Sequence, residues 1–163
     1  MTNDSTAPPP DEIEVGTPFA AESVRMRART RVATCLAVIT LLAPLIVAAR
    51  LHPDPSGSGT HQQMGLPPCT SVYLFGVRCP ACGMTTSWSA VMHAQPMTAI
   101  QANATGAVGC LIALASVPWM GVSALRGRWL LLEFTEARFA LVLFLMLVFA
   151  LIEWGVRLMI GGT

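Results

Sequence analysis

Residues 139–152, FALVLFLMLVFALI, run without one polar side chain, and two other stretches resemble them. VATCLAVITLLAPLIVAA (32–49) carries no charge, and neither does 94–125, whose apolar core begins near Ala104. A bilayer core of about 30 Å takes roughly 20 helical residues to cross, and each stretch reaches that length with modest extension. Within hydrocarbon only a helix or a closed barrel satisfies its own backbone, and unbroken apolar runs select the helix. Composition argues against three buried helices of a soluble protein. Hydrophobic residues are 53% of the chain and charged residues 12%, against about a quarter charged in soluble domains. The remaining residues could not cover so much apolar surface.

The expected fold is therefore an all-α membrane protein with three transmembrane helices, at about 32–50, 102–124 and 138–158. Residues 51–98 and 125–137 are the connecting loops. The first loop opens with a Pro-, Gly- and Ser-rich linker (51–65) and carries a short amphipathic helix from about Pro80 to His93, after a cysteine motif. Residues 1–31 are expected to form a disordered tail, because they are rich in Pro, acidic and small polar residues. Ala48 and Ala49 could mark a cleavage site, but 31 residues precede the span, so an uncleaved anchor is expected.

Arginine counts set the expected orientation. Seven arginines (25, 27, 29, 31, 126, 128, 138) flank one side and three (50, 78, 157) the other. This predicts a cytoplasmic N-terminus and an extracytoplasmic cysteine loop in a plasma membrane. The net charge of +1 gives no nucleic-acid footprint.

Cys69, Cys79 and Cys82 share that loop, whereas Cys35 and Cys110 lie in spans and read as small apolar packers. Three readings of the loop thiols stand open. A disulfide from Cys69 to Cys79 or Cys82 would staple the loop, as an extracytoplasmic location permits. A redox pair is the second: Pro80 suits the first helical position, which would put Cys79 at a helix cap with a lowered pKa and Cys82 one turn in. The third is a metal site with Cys69, Cys79, Cys82 and His93 as zinc ligands. Copper(I) would also suit the sulfur of this loop, where His52, His61, Met64, Met84, Met92 and Met97 lie too. Haem attachment is rejected, because Gly83 stands where C-x-x-C-H needs histidine.

Other features concern the spans. Pro44 is expected to kink the first. Ala102, Gly106 and Cys110, four apart, form a small-residue face suited to close helix packing. Asn103 reads as an interfacial residue touching water. Glu153 and Arg157 form an i,i+4 pair whose charges are expected to snorkel to the interface beside Trp154.

The run from Cys69 to Thr105 resembles a family of small bacterial integral-membrane proteins defined by a domain of unknown function. The matching residues are Cys69, Cys79, Pro80, Cys82, Gly83 and Thr85 of a C-P-x-C-G-x-T-R motif, and later Asn103. Thr86 stands where the family usually has arginine. The resemblance implies topology and motif, a bacterial inner membrane, and no reaction.

The outer loop has one carboxylate, Asp54, and so lacks a paired general acid and base. The expected function is accordingly noncatalytic. The cysteine motif would be a structural or partner-docking module, with no cofactor required and zinc or copper as options. Expected partners are the lipid bilayer and another membrane protein or a second copy of this chain.

Overall fold

The computed structural model describes residues 26–129 and 135–160. The expected tail falls mostly outside these, as does part of the loop at 125–137. The described chain forms α1 (Ala28–Arg50), a 3₁₀ turn (Thr60–Met64), α2 (Thr70–Phe75), α3 (Met84–Met92), α4 (Pro96–Arg126) and α5 (Glu136–Met159). Three of them, α1, α4 and α5, are long and apolar enough to cross a membrane. The fold is an all-α membrane fold.

Packing centres on α4. α3 lies along its first half and α1 packs on both, while α5 touches α4 only lightly. One core cluster joins Leu45 of α1 to Cys110 and Ala113 of α4, with Leu41, Trp88, Val91 and Leu114 around it. A second joins Ala90 of α3 to Ala99 and Ala107. Small side chains let the backbones approach. A Cβ placed on Gly106 would stand 3.2 Å from Ser87 Cβ, so α3 occupies the small-residue face of α4. No residue of α5 is buried, which leaves its apolar surface for the bilayer.

Beside Ala90, the buried face of α3 is polar: Thr86, Ser87 and Ser89. The reason lies in the neighbouring backbone, whose polar groups need partners when buried. Ser89 Oγ donates to Leu51 O (2.5 Å) and Ser87 Oγ to Asn103 O (2.8 Å). Thr60 Oγ1 donates to Thr86 Oγ1 (2.8 Å) and accepts from Asp54 N (3.0 Å). Thr86 is thus fully enclosed and pins the linker to α3.

Two boundaries differ from the sequence expectation. The short helix begins at Met84 and not near Pro80. Gly83 at its cap has φ +83°, a conformation open to glycine and costly elsewhere. A Cβ there would also meet Ala102 O at 2.3 Å and Gly57 O at 2.7 Å. Residues 79–83 are therefore a turn, with Cys82 N donating to Cys79 O at 3.0 Å, and Pro80 does not open a helix.

The second difference is in α4, which starts at Pro96 and breaks at Asn103 (φ −167°, ψ 106°). A new helical segment begins at Ala104. Its first amides lack intrahelical acceptors, and all three find side-chain oxygens. Gly106 N donates to Asn103 Oδ1 (2.6 Å), the usual bond of an Asn cap. Ala104 N and Thr105 N each donate to the Glu153 carboxylate of α5 at 2.7 Å, and Thr105 Oγ1 does so at 2.6 Å. Asn103 is 1% exposed, so it is not the water-touching residue its position in the sequence suggests.

Asn103→Ala removes a cap and leaves buried partners unpaired, so it is expected to lower stability by about 2–3 kcal/mol. Asn103→Asp keeps the acceptor for Gly106 N and should fall between the two. Thermal unfolding in mild detergent reads the order. Equal midpoints for wild type and Asn103→Ala would contradict the capping role.

Candidate thiol site

Three separate anchors bring the loop sulfurs together. Cys69 caps α2, and its carbonyl accepts from Tyr73 N at 3.0 Å. Asn103 Nδ2 donates to Pro80 O (3.1 Å) and Cys82 O (3.2 Å), which holds the 79–83 turn against the break in α4. Trp154 Nε1 of α5 donates to Arg78 O (2.8 Å), just before that turn. Asn103 thus caps one helix with its oxygen and grips the cysteine turn with its nitrogen.

The result is a triangle of thiols. The Cys69 and Cys79 sulfurs are 3.7 Å apart, and all three, with Cys82, lie within 4.8 Å of one another. Cys82 is buried, while Cys69 and Cys79 are half-buried and give the cluster an open edge. None of the five cysteines is joined to another in this structure. Cys35 is exposed on α1, and Cys110 is buried against Trp88 O at 4.0 Å. Both lie outside the cluster.

Electrostatics separate the members. The amide of Val72 in the first turn of α2 holds the Cys69 thiol down at about 7, with help from Ser71 N and the other two sulfurs. Burial pushes Cys82 up to about 11, reinforced by its sulfur neighbours. The sequence expectation gave the low value to Cys79 as a helix cap. The helix cap here is Cys69, at the start of α2, whereas Cys79 sits in a turn.

His93 is not a fourth ligand. It ends α3, at the opposite end from Cys82, where its Nδ1 lies 2.8 Å from Ser89 O and its ring faces His52 at 5.8 Å between centroids. Among the described residues the cluster is three sulfurs alone. Thr85 and Met84 turn away from it and line a groove with Pro44, Val47, Met64 and Trp88. His61 Nε2 lies 3.1 Å from Pro67 O.

Sequence reasoning singled out Glu153 but mistook its environment. Its side chain is 14% exposed, and it pairs with Arg157 while accepting the α4 amides. These charges do not snorkel away; the carboxylate turns inward to a helix start. An ionisable residue beside an apolar span was the available signal, but its partner lies 48 residues away in sequence.

Fold and site together define a multi-pass α-helical membrane protein with a three-thiol cluster in the loop before its second span. Within it, residues 69–117 match the model of a family described as a protein of unknown function (DUF2752). The matched segment opens on Cys69 and contains every member of the cluster, α3, Asn103 and the first part of α4. No curated protein and no solved structure is significantly similar to the chain.

In metal-free protein, alkylation of Cys69 should accelerate as pH rises through about 7, because the thiolate is the nucleophile. Cys82 should stay a thiol and react slowly until well above that pH. Peptide mapping after timed iodoacetamide pulses separates them. Cys82 reacting first at neutral pH would contradict the assignment.

Proposed function

We propose that Cys69, Cys79 and Cys82 hold one thiophilic metal ion, zinc in first place, on the extracytoplasmic side of a noncatalytic bacterial plasma-membrane protein. The observation that carries this is the sulfur triangle. Tetrahedral zinc with Zn–S of about 2.3 Å sets its sulfurs about 3.8 Å apart, close to the 3.7 Å between Cys69 and Cys79. Three thiolates from two chain segments also match the preference of zinc and copper(I) for soft ligands. The fourth position of zinc would go to water or a partner's donor. Bound metal would take the thiolate form of all three, including Cys82, and so offset the cost of burying that sulfur. It would tie α2 to the turn before α3 and make the loop a fixed platform.

The extracytoplasmic placement rests on the excess of arginine at the opposite ends of the spans. The small-residue face of α4 is filled by α3, so a membrane partner, or a second copy of this chain, would meet the exposed α5 instead. Nucleic acid has no place in this reading.

One observation favours a second reading. A half-exposed Cys69 near its titration point beside Cys79 is arranged for thiol–disulfide exchange. In this version Cys69 attacks a substrate disulfide, Cys79 resolves the mixed disulfide, and the substrate leaves as a dithiol. The pair then differs from Cys79 and Cys82, since Cys82 is the buried member.

Native mass spectrometry of protein purified without reductant or chelator separates the two. The metal reading expects one ion per chain, loss of that ion in Cys69→Ser, Cys79→Ser and Cys82→Ser, and three thiols that react faster after chelation. A metal-free chain lighter by two hydrogens, with a Cys69–Cys79 disulfide, would replace it with the exchange reading. A metal-free chain with all thiols reduced would contradict both.

A further inference from the structure

We infer that α2 is a membrane-interface segment, seated in the lipid headgroup and upper acyl region at the bilayer face that carries the thiol site. This stands apart from the metal reading and needs only the membrane fold. Residues 66–77, LPPCTSVYLFGV, contain no charged side chain. No residue of α2 is buried, and among the described residues no helix packs against it. Tyr73 is 82% exposed and Phe75 75%, with Val72 and Leu74 exposed between and beside them. Four consecutive exposed apolar residues of this size do not belong in water.

Its level relative to the bilayer follows from α5. The uncharged run of α5 ends at Ile152, and Trp154 follows within one turn. Tryptophan favours the boundary between hydrocarbon and headgroups, where its ring is apolar and its N–H needs an acceptor. Here that acceptor is Arg78 O at 2.8 Å. The backbone three residues after Phe75 is thereby fixed against α5 at boundary height. Around Trp154, α5 presents exposed Leu151, Ile152 and Leu158. The apolar surface of α2 thus continues the lipid-facing wall of α5, and lipid is the occupant that already covers that wall. Cys69 caps α2, so the open edge of the thiol cluster would lie at the lipid surface, reached from the interface as well as from bulk water.

Photo-crosslinking in native membranes tests this with the full chain. p-Benzoylphenylalanine is placed at Tyr73, at Phe75 and, as a lipid-facing reference on α5, at Phe144. The inference expects the chain mass to rise by one phospholipid after irradiation at position 73, 75 or both, as at 144. Lipid adducts at 144 with none at 73 and 75 would overturn it, as would a discrete protein adduct in their place. Absence of lipid adducts at all three positions would overturn the membrane assignment of α5 along with it. The metal content of the same samples stays a separate readout, so failure here leaves the metal reading standing or falling on its own.

Discussion

Three backbone amides organise this molecule. Where α4 breaks at Asn103, the N–H groups of Ala104, Thr105 and Gly106 have no carbonyl one turn behind them. Beside a membrane such groups cost several kcal/mol each if left bare. Asn103 takes one and Glu153 takes two. The Glu153 charge is in turn balanced by Arg157 and by the partial positive charge at the start of the helix. This is how α5, with no buried residue of its own, is held to the rest of the fold.

The same break builds the site. A continuous α4 would keep the Asn103 backbone helical and its side chain on the helix surface. With the chain extended there, the side chain points back along the new helix while its amide nitrogen reaches two carbonyls of the cysteine turn. Gly83 completes the fit, because only a residue without Cβ lets the turn rest on Ala102 O. Trp154 adds a tether from α5. The thiols are therefore placed by the membrane helices and not by a domain of their own, so a loop of this length gathers three sulfurs.

Much of the fold was legible in the sequence, and its limits have physical causes. Long uncharged stretches locate spans because lipid demands them, and the thiols stood out by type and spacing. The start of α3 was misplaced because Pro80 is a good first helical residue by local rules, whereas the turn at Gly83 is imposed by contact with α4. His93 was drawn in by spacing alone, although α3 separates it from Cys82 along its own length. Asn103 carried a cap signal, Asn three residues before Gly106, but the apolar pattern on both sides concealed a break. Glu153 could be seen as unusual, yet nothing local reveals an acceptor for amides on another helix.

The central claim is that this break-centred architecture gathers Cys69, Cys79 and Cys82 around one ion. X-ray absorption at the zinc edge of the purified protein tests it most directly. The account expects three sulfur neighbours at about 2.3 Å with one lighter atom, and no sulfur-bound zinc in Cys82→Ser. A shell of nitrogen and oxygen alone, or one unchanged by removing the Cys82 sulfur, would contradict it.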